Sequence, residues 1–293
     1  VNVSRILFFL AGLTLAGAAR GGTLYAVDST PNSLATNSLY TLDKSTGAST
    51  LIGPTGRFVT GPAGMTFDSS TGRLIVSNLF VEDSFDASGN GFTTPGSAAL
   101  TAPSDYAASL SIPSLAYHAP SDTLYGLSLN PYQWQIIDRT TGASASGPVP
   151  LADPPAVVEL EAVTFSRDGS TLYGVSQFGF HLVDRTTAHI TNVGTHGLDL
   201  SPFFSGFGLA VDPDDGTLYL TNSVNGNLYR LNPATGAATL IGATGIHPTG
   251  IAVVGAPTVE VPALGQAGLI ALVLLMGAMG AVLLRWRFAA TRA

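Results

Sequence analysis

"GLAVDPDDGTLYLTNSVNGNLYRLNPATGAATLIGATG", residues 208–245, reads as four short strands. The first covers 209–212. A Pro-Asp-Asp-Gly turn leads to the second at 217–222. Asn225-Gly226 leads to the third at 227–232, and "PATG" to the fourth at 238–242. Each strand alternates or carries β-branched and aromatic residues, and each break has its own turn chemistry.

The unit recurs along the chain. First-strand segments read "AGMTFD" (63–68), "PSLAYH" (113–118), "EAVTFS" (161–166), "FGLAVD" (207–212) and "TGIAVV" (249–254). Second-strand segments read "GTLYAVD" (22–28), "GRLIVSN" (72–78), "DTLYGLS" (122–128), "STLYGVS" (170–176) and "GTLYLTN" (216–222). Third and fourth strands recur at 38–53, 135–147 and 181–194. First strands begin 42 to 50 residues apart. Four strands per repeat of that length predict a β-propeller. The innermost strand of a blade lies where blades converge, so small residues are required there.

The two ends of the repeat region are complementary. It opens on a second-type strand and closes on a first-type strand at 251–254. Joined, they make one blade and remove the open edge of the ring. The expected architecture is an all-β, five-bladed β-propeller of four-stranded blades over residues 20–257. A sixth blade is the alternative if the irregular stretch 79–112 hides one. The recurrent tyrosines, Tyr25, Tyr40, Tyr125, Tyr173, Tyr219 and Tyr229, read as packing residues.

Composition fits this reading. Only 11% of residues are charged, the sole lysine is Lys44, and 34 residues are glycine. No cysteine is present, which excludes disulfides, thiolate metal sites and a cysteine nucleophile. Setting aside Arg5, Arg285, Arg287 and Arg292, eight basic residues face all 19 acidic ones, a net of −11. Such a surface repels nucleic acid.

Residues 1–19 read as a signal peptide: Arg5, an apolar stretch at 6–18, then Ala16-Gly17-Ala18. At the other end, residues 267–284 carry no charge or strong polar group, and helical they would span about 27 Å. Arg285, Trp286 and Arg287 follow, as expected on the cytoplasmic flank of a transmembrane helix at 266–285, with a basic tail at 286–293. A tether and sorting motif occupy 258–265.

Val261, Pro262, Ala263 and Leu264, followed by Gly268, the apolar run and the arginines, resemble the C-terminal sorting signals of Gram-negative surface proteins. The Ile-Pro-Thr-Leu class (IPTL-CTERM) is the nearer pattern, and the Pro-Glu-Pro class processed by exosortases (PEP-CTERM) is its sister. Val261, Ala263 and Ala267 depart from the pattern. The resemblance implies a sortase-like membrane protease as partner, with a permanent anchor as the alternative. The repeats, through "GIAVV", "GLAVDPDDGTLYLTN" and "NLYRLNPATG", resemble the extracellular NHL, YVTN and gluconolactonase-like propellers. That superfamily hosts both enzymes and binding modules.

No assembled catalytic set is visible: no HExxH pair, nucleophile elbow, Walker loop or dinucleotide fingerprint. In the irregular stretch, Asp83 and Asp86 sit among oxygen donors that would suit Ca²⁺, although their spacing fits no EF-hand and a solvated acidic loop is the preferred reading. "DPDDG" (212–216) falls where a hairpin turn is required. Gluconolactonase-like propellers hold a divalent metal in the axial tunnel, and Glu161, with Glu159, is the acid placed nearest such a position. Its counterparts in the other repeats are Ala63, Pro113, Phe207 and Thr249. The sequence therefore points to an exported, non-catalytic binding or structural module that acts on extracellular protein or glycan, with no cofactor. A metal-dependent lactone hydrolase using Glu161 is the competing expectation.

Overall fold

The computed structural model describes residues 22–28, 38–54, 64–77, 92–93, 99–101, 112, 114–129, 132–139, 145, 149–150, 160–198 and 206–255. Among them the strands, numbered in chain order, form five four-stranded sheets. The first joins β20 (Pro248–Val254) to β1 (Thr23–Asp28), β2 (Ser38–Leu42) and β3 (Ser49–Pro54). The third is β8 (Ser114–His118), β9 (Thr123–Leu129), β10 (Tyr132–Ile137) and β11 (Val149–Pro150). The fourth is β12 (Leu160–Phe165), β13 (Leu172–Ser176), β14 (Gly179–Val183) and β15 (Ile190–Gly194). The fifth is β16 (Phe207–Val211), β17 (Leu218–Asn222), β18 (Asn227–Leu231) and β19 (Ala238–Ala243). These four sheets are antiparallel meanders, and the fold is an all-β propeller.

The second sheet departs from the other four, in keeping with the irregular stretch at 79–112. Its inner hairpin, β4 (Met65–Asp68) with β5 (Arg73–Val76), is regular. Its outer half is not. β7 (Ala99–Thr101) pairs parallel to β5, and β6 (Phe92–Thr93) closes the edge. The usual third-strand hairpin is replaced by a crossover, because no turn signal follows Ser77 at the hairpin position.

The innermost strands follow one another in a closed cycle: β4 packs on β8, β8 on β12, β12 on β16, β16 on β20, and β20 on β4. Each seam between neighbouring sheets has its own apolar cluster. Strand β17 shows how one strand serves two seams. Leu218 and Leu220 face the fourth sheet, and Tyr219 faces the first. A strand buried on both faces needs a continuous apolar run, which is why "LYLTN" reads as it does. Full burial of a residue such as Leu220 stabilises by roughly 1.5–3 kcal/mol. Tyr25, Tyr219 and Tyr229 are buried in these seams, and Tyr125 stacks on Trp134 at 5.1 Å.

Closure by the C-terminal strand is as expected. β1 pairs antiparallel with β20 from Thr23↔Val254 to Asp28↔Pro248. The Gly22 amide donates to Asp214, and the His247 amide donates to Asp28 Oδ1 at 3.2 Å. Gly22 and Gly255 thus emerge side by side.

The small inner residues do more than fit. Thr66 Oγ1 accepts from the Tyr117 amide at 3.1 Å, and Ser114 Oγ accepts from the Val163 amide at 2.8 Å. Each hydroxyl satisfies a backbone donor of the next sheet's inner strand. At Gly64 a Cβ would strike the backbone of Ser114 and Leu115, so no larger residue is tolerated.

The outer strands carry a second device. β3, β15 and β19 each bulge one residue before a glycine, at Ile52, Val193 and Ile241. The bulged side chains turn into the seam with the following sheet. Gly194 and Gly242 then receive the next sheet's third-to-fourth-strand turn. A Cβ at Gly242 would overlap the Thr46 carbonyl, and one at Gly194 the Thr235 carbonyl.

Candidate functional site

The turns joining first and second strands lie on one face of the ring. Each is built on a polar side chain that holds its own backbone. Asp212 Oδ1 accepts from the Asp214 amide at 2.9 Å, Asp68 Oδ1 accepts from Ser70, and Asp168 Oδ1 accepts from Ser166 and Ser170. The turn reading of "DPDDG" is therefore correct.

The remaining capacity of these side chains is spent between sheets. In the turns joining third and fourth strands, the residue after an aspartate reaches back to the preceding sheet. Lys44 Nζ donates to Asp212 Oδ2 at 2.6 Å. Arg139 donates to Asp68 Oδ2 at 2.7 Å and to Asp122 Oδ2 at 2.8 Å. Arg185 Nη1 lies 2.9 Å from His118 Nε2, which is also 3.0 Å from the Gly169 carbonyl. Ser121 Oγ holds His118 Nδ1 at 2.6 Å. Asp122 takes a left-handed conformation, with φ at 51°, where the corresponding turns use glycine. It also accepts from the Tyr117 hydroxyl at 2.6 Å.

Ionisation follows from these contacts. Burial resists charging Asp68, but hydrogen bonds from Ser70, Thr71 and Arg139 outweigh it and hold the carboxyl below its usual range. Tyr117 and Arg139 lower Asp122. Burial, with Arg185 alongside, lowers His118 although Gly169 opposes it.

Inside this rim lies a cavity of about 140 Å³ to which all five inner strands contribute, through Met65, Tyr117, Phe165, Leu209 and Ile251 among others. Arg167, on the turn after β12, is the only charged residue lining it. The walls are otherwise apolar or hydroxyl-bearing, with no carboxylate or histidine.

The sequence-predicted acids fall elsewhere. Glu161 is half-buried at a bulge near the start of β12, at the opposite end of that strand, and does not line the cavity. Asp83, Asp86 and Glu159 lie outside the described residues, as do Val261, Pro262, Ala263, Leu264, Gly268, Arg285, Trp286 and Arg287. Among the described residues no group of three histidines or carboxylates could hold a metal ion, and no helix is long and apolar enough to cross a membrane.

On the other face, Ser176 organises a buried cluster. Its Oγ lies 2.8 Å from His181 Nε2 and accepts from the Phe178 and Gly179 amides. His196 Nε2 donates to the Ser176 carbonyl at 3.0 Å. Burial, aided by His196, pushes His181 down to about 4. Ser176 is fully buried, so the pair holds a turn rather than presenting a nucleophile.

Residues 261–288 match the IPTL-CTERM motif, and the described residues have the β-propeller architecture. Similar solved structures include a nidogen/laminin complex, at 11% identity and a TM-score of 0.46, covering 79% of this chain and 98% of that one. A periplasmic gluconolactonase of Pseudomonas aeruginosa is similar at 17% identity and a TM-score of 0.37, covering 75% and 81%. No curated protein sequence matches the chain.

Proposed function

We propose that this chain is an exported, five-bladed propeller that acts as a non-catalytic binding or structural module at the cell surface or in the matrix. Its C-terminal segment sorts it there through a sortase-like membrane protease that reads Val261, Pro262, Ala263, Leu264 and Gly268. The observation that carries the proposal is the IPTL-CTERM match at 261–288, which begins beyond a ring already closed at Val254. Removing such a tail leaves every strand pairing of the ring in place. The cyclic packing of five inner strands supports the blade count, the irregular second sheet being one blade. The signal peptide at 1–19 and the spanning helix at 266–285 complete the export route.

Mass spectrometry of the protein recovered from its native host tests this. A mature C-terminus near Val261 is the expected result. A chain ending at Ala293 and retained in the inner membrane would replace sorting with permanent anchoring.

A further inference from the structure

We infer that the axial cavity is a binding site for a small monocarboxylate with a compact apolar body. The inference rests on reading the ring as a binding module and adds the chemistry of one ligand.

The size is suitable. A dry cavity of roughly 150 Å³ is enough to hold benzene, and this one is about 140 Å³. Met65, Phe67, Phe165, Leu209, Ile251 and Val253 make most of its surface apolar. An apolar group gains by displacing poorly ordered water from the apolar part of this wall.

The charge at the rim selects the head group. The acids of this face are committed: Asp68 and Asp122 to Arg139, Asp212 to Lys44, and Asp168 Oδ1 to Ser166 and Ser170. Arg167 makes no ion pair among the described residues, in a chain of net charge −7. Its backbone is held in a tight turn, with the Gly169 amide donating to the Ser166 carbonyl at 2.8 Å. A guanidinium beside this cavity, with no carboxylate paired to it among the described residues, suits a bidentate carboxylate. One cation does not offset a dianion, and a chain of net charge −7 supplies no second one to this cavity. That favours a monoanion over a phosphate monoester.

Fluorine NMR titration of the full-length protein in detergent with a fluorinated benzoate tests the inference, with the corresponding benzamide as the neutral control. Saturable benzoate binding is expected, with the amide weaker by about tenfold or more. Arg167→Met should weaken benzoate by a similar factor and leave the amide unchanged. Arg167 is exposed, so the variant should melt with the parent. Absence of saturable benzoate binding, equal affinity for the amide, or an unchanged affinity in Arg167→Met would overturn the inference. The mature C-terminal mass reads the sorting proposal separately, so either can fail alone.

Discussion

The first and second sheets are assembled in opposite ways. The first is drawn from the two ends of the repeat region, yet it is a regular meander with a long β1–β20 ladder. The second is continuous in sequence between Met65 and Thr101, yet its outer half is short and includes a parallel pair. Nearness along the chain is therefore not what makes a blade. The first sheet has the turn residues Asp43 to Gly47, whose Asp43 Oδ1 accepts from the Ser45 and Thr46 amides. It also has the Ile52 bulge and the Lys44 contact to Asp212. The ion pair between the second and third sheets is carried by the third, through Arg139, beside the Thr66 hydroxyl that the second supplies.

The largest effect should come from the glycine seat between the first and fifth sheets. Gly242→Val puts a side chain into the Thr46 carbonyl and should cost at least about 3 kcal/mol, read by chemical denaturation. A cost under about 1 kcal/mol would mean the outer strands do not seat the neighbouring turns.

Next is Arg139→Met, which leaves the carboxylate of Asp68 buried without its cation. A loss of about 2 kcal/mol is expected, against about 1 kcal/mol for Lys44→Met, because Arg139 pairs with two carboxylates, Asp68 and Asp122, and Lys44 with Asp212 alone. Equal losses would remove the distinction between the two sheets.

Acid should act first on the histidine-bearing seams. His181, His118 and His196 are all lowered, chiefly by burial. For a histidine lowered in the folded state, the unfolded chain binds the proton more readily. Stability therefore falls as pH drops from the ordinary value of 6.5, and for His181 the fall continues to about 4. His181 alone accounts for roughly 3 kcal/mol across that window. His181→Gln should flatten the pH dependence of the melting temperature between those limits, and an unaltered slope would contradict its assignment. The lowered carboxyl of Asp68 contributes stability that is lost only below about pH 4.

The smallest effect is expected at Ala188, which holds φ at 56° where the matching turns carry Gly47 and Gly236. Ala188→Gly relieves about 1 kcal/mol of backbone strain but removes a fully buried methyl worth about 0.8 kcal/mol. The melting temperature should barely move.

Much of this architecture was legible in the repeats. The columns from "AGMTFD" to "TGIAVV" locate the inner strands, and the unmatched strand types at the two ends predict closure. The inter-sheet contacts were also written in the sequence, though less openly. Lys44, Arg139 and Arg185 each follow an aspartate at the same turn position, and Gly53, Gly194 and Gly242 each follow an apolar residue in the fourth strand. Their meaning depends on the neighbouring sheet, which a pattern within one repeat does not supply. The parallel β5–β7 pair leaves no periodic trace because its strands are three to four residues long. The cavity and Arg167 required the ring itself, since their neighbours come from five distant segments. Glu161 marked the start of an inner strand correctly, but the cavity opens at the other end.

The central claim is that β20 completes the ring and that the ring needs nothing beyond it to fold. Thermal unfolding of two shortened chains tests this most directly, one ending at Ala256 and one at His247. The account predicts a single cooperative transition for the first, close to that of the full chain, and no cooperative transition for the second, which lacks β20. Two chains that melt alike would contradict it.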